Sequence, residues 1–343
     1  MFKTLSELEE YCLDKVKSGQ CENGEFKTFL FFPGKKENGW IYSGPSVFLT
    51  TSIAIALLSS DDEKVKSITG KAAQFVRSQM EAGGLWRFYP HNGLFKFNTP
   101  LDVDDTSLAS FLLTKCGVDF PDNKKLLLKQ IDKRGNFYVW FLPRFKYLSM
   151  PGFLLRLVAD LRYSLPIFFA MKGRTDAPLI NYNDFEHSVS SNAVLYLSNT
   201  KETQKSINHI TEDILFGNEH NLYFYPSFLF TLFHISRAYR QGISDFSNLK
   251  EKVGNYFKSN REQVEKNLLN KAIGAITLLN FEIENHMVRE LMYDILKSSE
   301  KEINTPYGYF CTKDRNMEGG SVEFNCAIIF YAIQLYRSSN IEK

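Results

Sequence analysis

The stretch TPLDVDDTSLAS, residues 99–110, sets Asp102, Asp104 and Asp105 within four positions, just ahead of an apolar run with helical character. Three carboxylates this close resist full ionisation, so at least one proton tends to stay on the cluster, which then titrates as a unit. Such a set suits three chemistries. It could cap a helix and offset its dipole, each acid contributing about 0.3–1 kcal/mol. It could hold a cation, although no basic or Gly-rich companions lie nearby to support a metal or diphosphate site. It could also keep a proton for delivery to something apolar, a task that needs a stronger acid than one poised near neutral pH.

These acids need a scaffold, and hydrophobic periodicity gives twelve helical segments. Segments 4–18, 62–81, 121–132, 200–217, 243–258 and 285–300 are amphipathic and charged. Segments 45–59, 104–117, 185–198, 226–241, 263–280 and 321–338 are apolar or rich in small residues. Polar-faced helices belong outside and helices apolar all round belong inside. Strict alternation of the two kinds predicts an all-α double ring, an (α/α)6 barrel, spanning 1–343 as one domain. Strand signals are weak. Gly-aromatic loops recur before inner helices, at 39–58, 84–113 and 307–333, with a looser version at 221–239.

Segment 136–174 breaks the pattern. It mixes apolar residues with Arg144, Lys146, Arg156, Arg162, Lys172 and Arg174 and holds almost no acids. It reads as an insertion covering the cavity mouth, and its basic and apolar character over 140–174 also suits peripheral contact with a membrane.

Composition narrows the function classes. Lys plus Arg total 41 against 39 for Asp plus Glu, which makes no case for nucleic-acid binding. Five scattered cysteines fit a reducing cytoplasm. The N-terminus is amphipathic and unlike a signal peptide, and no apolar run reaches the ~18 residues of a membrane span. Aromatic residues make up 15% of the chain, with 30 Phe. Most should be core, but the excess predicts an aromatic-lined cavity.

KAAQFVRSQMEAGGLW, residues 71–86, resembles the QW repeat of squalene-hopene and oxidosqualene cyclases through Lys71, Ala72, Phe75, Gln79, Gly84 and Trp86. DVDDTS follows and resembles the D-x-D-D-T-A motif of class II terpene cyclases. The two motifs cover about 40 residues, and the length suits a single-barrel type similar to enzymes that cyclise prenylated aromatic acids into merosterolic acids. No D-D-x-x-D metal motif supports ionisation of a diphosphate, and the zinc ligands of protein prenyltransferases have no counterpart.

The resemblance implies a protonation-initiated isoprenoid cyclase, an isomerase acting on a hydrophobic polyprenyl-type molecule. Asp104 becomes the proton donor to a terminal alkene or epoxide, Asp105 its neighbour, and Asp102 the first acid of the motif. Asn192 falls where a His supports the acid in squalene-hopene cyclases, ahead of His187. The other histidines (His91, His209, His220, His234, His286) show no metal spacing. The carbocation needs aromatic walls, contributing about 0.5–2 kcal/mol per face. The candidates are Trp86, Phe88, Tyr89, Tyr223, Tyr225, Tyr307, Tyr309 and Phe310 in the repeat loops, with Phe228 and Phe324 near inner-helix starts. Asp314, Glu318 and Glu323 are candidate terminating bases, and a substrate head group would meet the cations of 140–174. No cofactor or protein-held metal is expected; Mg2+ enters only with a diphosphate substrate. The alternative is a non-catalytic barrel that binds a hydrophobic ligand. A carbohydrate-active barrel would need a second acidic pair, for which only Asp184 and Glu186 offer themselves.

Overall fold

A computed structural model of the chain describes residues 2–32, 39–90, 99–172, 181–217, 222–283, 286–313 and 315–339, with backbone alone at 45 and over 162–172. Outer α1 (Leu5–Gly19) is followed by inner α2 (Val47–Leu57), and outer α3 (Glu63–Ser78) by inner α4 (Val103–Lys115). Outer α5 (Lys124–Leu128) leads, after α6 (Pro151–Lys172), to inner α7 (His187–Leu197). Outer α8 (Gln204–Phe216) precedes inner α9 (Phe228–Arg240). Outer α10 (Lys250–Ser259) and the short α11 (Arg261–Glu265) precede inner α12 (Leu268–Asn280). Outer α13 (His286–Lys297) and the short α14 (Glu300–Ile303) precede inner α15 (Val322–Ser338).

The inner helices pack in the order α2, α4, α7, α9, α12, α15, and α15 returns to α2, so the ring closes. Outward, α1 packs on α15, α3 on α2 and α4, α8 on α7, and α13 on α12. The all-α double ring expected from the alternation is the fold observed. Every residue of α2 and α7 is buried, whereas α3 and α13 bury one face only. Hydroxyls survive on the inner helices because they bond back to carbonyls one turn earlier: Thr51 to Val47 (2.8 Å), Ser191 to His187 (2.7 Å) and Thr277 to Ile273 (2.8 Å).

Since inner and outer helices alternate, the inner six run the same way. Long connections gather at their N-terminal ends and short ones at their C-terminal ends. Two features of the long end depart from expectation. The first is a four-stranded antiparallel sheet built from β1 (Lys27–Phe31), β2 (Ile41–Pro45), β3 (Phe310–Cys311) and β4 (Glu318–Gly320), in the order β2-β1-β4-β3. Strands of two to five residues carry too little period-two pattern to register in a sequence scan. The sheet joins the N-terminal loop to the loop before α15 and so fixes Tyr309 and Phe310. The second is segment 121–132, which forms a helix only over Lys124–Leu128.

The insertion lies at this same long-loop end. Arg156 on α6 pairs with Glu81 (2.6 Å), and Arg87 bridges Glu81 and Asp160 at 3.1 Å each, tying α6 to the loop that enters α4. Arg144 stacks on the Tyr138 and Tyr182 rings, 3.6 and 4.0 Å from their centroids. Arg174, His91, His220 and Asp314 lie outside the described residues, and the side chains of Arg162 and Lys172 are among those given by backbone alone.

Candidate active site

Asp102 has extended backbone and accepts from the Asp105 N–H at 2.7 Å, the N-cap of α4. The loop carrying Trp86 is laced to the same turn. The Asp102 N–H donates to the Trp86 carbonyl (3.2 Å), and the Trp86 N–H donates to Thr106 Oγ1 (3.1 Å). Gly84 makes the approach feasible: its φ is +72°, and a Cβ there would lie 2.7 Å from the Pro121 carbonyl oxygen.

In the first turn of α4, Asp104 is buried and both its oxygens accept hydrogen bonds. Asn192 Nδ2 on α7 donates to Oδ1 (2.7 Å), and the Tyr225 hydroxyl, from the loop entering α9, donates to Oδ2 (2.6 Å). Arg237 Nη2 on α9 donates to Asn192 Oδ1 (2.7 Å) and lies 3.0 Å from His234 Nδ1. These contacts fix the ambiguous groups. Arg can only donate, so Asn192 must present its oxygen to Arg237 and its NH2 to Asp104. By the same argument His234 accepts at Nδ1 and carries its proton on Nε2. Burial, and then the charge of Arg237, hold the His234 pKa well below its ordinary value, so the ring is neutral.

The carboxyls resist ionisation to different degrees. Burial raises Asp104, opposed by the bonds from Tyr225 and Asn192 and by the charge of Arg237. Asp102 is pushed up to about 7, by burial first and then by the charge of Asp104. Asp105 sits well above the carboxylate range, through burial and the charge of Asp102. A fourth acid joins them. Glu186, the residue before α7, is wholly buried and raised to about 8 by burial, although its Oε2 accepts the N–H groups of Phe224 (2.9 Å) and Tyr223 (3.2 Å). It braces the loop that presents Tyr225. Of the four, Asp104 alone has strong donors to both oxygens and a nearby cation, so its conjugate base is the best stabilised. The arrangement is therefore suited to releasing a proton from Asp104 and holding the resulting charge.

The aromatic candidates separate into two groups. Tyr225, Tyr309, Phe310, Phe88, Tyr89 and Phe324 form one cluster at this end, joined by Phe48 and Phe230. Tyr309 is its hub, with ring centroids 4.0 Å from Phe324, 5.4 Å from Phe48 and 5.7 Å from Tyr225. Phe88 lies 4.8 Å from Tyr89 and 5.0 Å from Phe310, which covers Gly319 of β4. The other candidates point elsewhere. Trp86 is sealed between helices, its Nε1 donating to the Val76 carbonyl (2.7 Å) and its ring against Phe120. Phe228 faces Tyr256 on outer α10, the Tyr307 hydroxyl donates to the Glu302 carbonyl (3.2 Å), and Tyr223 lies under Lys313. Position in a repeat loop does not say which way a ring turns, and these four serve packing. His187 likewise turns outward, its Nε2 3.1 Å from Asp213 on α8. Glu318 and Glu323 lie against Gly308 and Gly19, among the packed loops and α1.

A cavity of about 220 Å³ opens on the axis at the opposite, C-terminal end of the inner helices. Ile55, Phe111, Leu195, Phe233 and Tyr331 wall it, and Lys115, Arg237, Arg240 and Gln241 supply its polar groups. Asp104 is not in its wall; the Asn192–Arg237 pair stands between them. The basic insertion lies at the far end from this opening. The volume is below the roughly 300–1,000 Å³ of pockets that hold drug-sized ligands. Among the described residues, no three His, Cys, Asp or Glu side chains are grouped to hold a metal ion.

Sequence reasoning passed over Arg237, Phe48 and Phe230 and treated His234 as ordinary. Arg237 did carry a signal: a cation on an otherwise apolar inner helix, FLFTLFHISRAYR, must find partners inside the barrel.

No protein-family model and no curated protein matches the chain. Solved structures do. A protein from Actinoplanes superposes with a TM-score of 0.70 at 10% identity, covering 97% of this chain and 100% of that one. A substituted form of the type II terpene cyclase MstE from Scytonema, in complex with its substrate geranylgeranyl dihydroxybenzoate, gives 0.63 at 11% identity and 98% coverage of both chains. The ent-copalyl diphosphate synthase from Streptomyces platensis gives 0.51 at 13% identity, over 84% of this chain and 50% of that one. The chain therefore has the fold of class II terpene cyclases, closed here into a single barrel.

Proposed function

We propose that the protein is a class II isoprenoid cyclase in which Asp104 protonates the terminal double bond of a polyprenyl or prenylated aromatic substrate. What carries this reading is the environment of one buried carboxyl: Asn192 and Tyr225 donate to its two oxygens, and the Arg237 charge reaches it through Asn192. In the resting state Asp104 is the neutral acid. Its proton adds to the less substituted alkene carbon, leaving a tertiary carbocation on the chain and a carboxylate on Asp104. The donors bind the carboxylate more strongly than the acid, so they favour the transfer. Internal double bonds then attack in turn, and loss of a proton from the last cation completes an isomerisation without redox change. Tyr309, Phe48 and Phe88 offer ring faces near the acid for the early cation.

Asp105, held well above the carboxylate range by burial and the charge of Asp102, keeps further negative charge away from Asp104 in this scheme. We include in the reading a peripheral contact with a membrane. Phe145, 91% exposed, stands with Leu148, Leu155 and Val158 on the surface of the insertion, beside Lys146 and Arg156. Flotation with anionic vesicles tests that contact, and a Phe145→Ser/Leu148→Ser variant should stay with the soluble fraction. Among the described residues no helix is long and apolar enough to cross a membrane.

The test of the reaction is incubation with farnesyl and geranylgeranyl diphosphates and with geranylgeranylated dihydroxybenzoate. Cyclic product is expected from the unsubstituted protein and none from Asp104→Asn. Undiminished cyclisation by that variant would overturn the assignment.

A further inference from the structure

The opening at the C-terminal end of the inner ring is lined by cations that, among the described residues, make no ion pair. Lys115 and Arg240 are exposed at its rim, and Arg237, 6% exposed, forms part of its wall. No carboxylate lines it; apart from the three cations the side chains with polar atoms are Ser59, Gln241 and Tyr331. Lys115 donates only to the neutral Gln241 amide (3.1 Å), and among the described residues Arg240 makes no ion pair. Arg237 touches neutral groups alone: Asn192, His234 and the Phe233 ring, 5.0 Å from its guanidinium carbon. Its buried Nε has no partner. A guanidinium taken out of water costs several kcal/mol unless it meets an anion. An apolar wall with three cations and no acid is the complement of an amphiphile with an anionic head.

We propose that this opening is the head-group end of the substrate site, where an isoprenoid amphiphile sets a carboxylate or diphosphate against Lys115 and Arg240 at the rim. The chain's direction rests on the cyclase reading; the anion preference does not. The same helix measures the ligand. Lys115 stands eleven residues past Asp104 on α4, which at 1.5 Å per residue is about 16 Å. Three extended single bonds span about 3.6 Å, so about thirteen chain bonds, or three to four isoprenoid units, bridge head group and acid. A chain already bent for ring closure needs the larger number. Two units cannot reach.

The experiment measures Kd for geranyl, farnesyl and geranylgeranyl diphosphates, geranylgeranylated dihydroxybenzoate and neutral geranylgeraniol. The proteins are the full chain, its Asp104→Asn variant, and a Lys115→Gln/Arg240→Gln variant whose changes are both on the surface. Each exposed cation contributes up to about 1 kcal/mol, so removing both should weaken the C20 anions about tenfold at low salt. Geranylgeraniol should be unaffected, and the anion preference should fade at high salt. Tighter binding of the diphosphate identifies it as the head group, and tighter binding of the benzoate identifies the carboxylate. Geranylgeraniol binding as tightly as both anions, or an unchanged preference in the double variant, would overturn the proposal. Because Asp104→Asn is read by binding, selective anion binding without cyclic product in the unsubstituted protein would keep this site and remove the cyclase reading.

Discussion

Replacing Tyr225 by Phe removes one oxygen and one hydrogen bond, the 2.6 Å donation to Asp104 Oδ2, and leaves the ring packed against His234 and Tyr309. The effect on rate is a difference between two states. A bond to a neutral acid contributes about 0.5–1.5 kcal/mol and one to a carboxylate about 1.5–3. Proton transfer therefore loses about 1–2 kcal/mol of stabilisation, a fall in kcat of roughly 5- to 30-fold. KM should move little, since the hydroxyl faces the acid rather than the chain. The pH profile adds a second signature. Tyr225 lowers the Asp104 pKa, so its loss raises that pKa. Asp104 must be protonated to act, so activity disappears as pH rises through its pKa. Tyr225→Phe should therefore show a lower plateau that persists to higher pH. Initial rates of cyclic product from geranylgeranylated dihydroxybenzoate across pH 5–10 measure both. An unchanged plateau, or a basic limb moved downward, would refute the reasoning.

Further outcomes follow from the same geometry. Arg237→Met removes the donor to Asn192 Oδ1 and His234 Nδ1 and leaves buried acceptors unpaired, so the unfolding free energy should fall by about 1–3 kcal/mol while kcat of the folded variant falls at least tenfold; an unchanged kcat would make Arg237 structural. Trp86→Phe breaks the bond to the Val76 carbonyl and should cost about 1–3 kcal/mol in urea unfolding, with kcat at saturating substrate unchanged. Raised carboxyl pKa values mean that the folded state binds more protons than the unfolded chain between about pH 4 and 8, so stability falls as pH rises through that window. With Glu186 at about 8 against an ordinary 4.5, Glu186→Gln should remove roughly 4 kcal/mol of that loss, seen as a flatter plot of unfolding free energy against pH.

The helical ring was legible because burial leaves a direct imprint: α2 and α7 are buried all round and read as uninterrupted apolar and small residues, while α13 shows one apolar stripe. The start of α4 was legible for a local reason, since Asp102 caps the helix whose first turn carries Asp104. The sheet was not, because its pairing of residues 29–31 with 318–320 is long-range and each strand is short. The rings divided for a similar reason. Phe228 and Phe230 are two residues apart on α9, yet one faces Tyr256 outside and the other Tyr309 inside; the helical period separates them by about 200°, and only the ring's curvature says which side is the axis. Arg237 reaches Asn192 across 45 residues and Asn192 reaches the acid across 88, contacts no spacing rule encodes. The opening lined by Lys115 and Arg240 also escaped notice, because its charges come from the ends of helices that read as apolar.

The central claim is that the Asp104 carboxyl gives its proton to the substrate. Its most direct test is cyclisation in D2O, where the acid exchanges before it acts. The unsubstituted protein should place one deuterium on the methylene beside the gem-dimethyl carbon, read by NMR, and Asp104→Asn should form no cyclic product. Cyclic product lacking that deuterium, or made equally well by Asp104→Asn, would contradict the account.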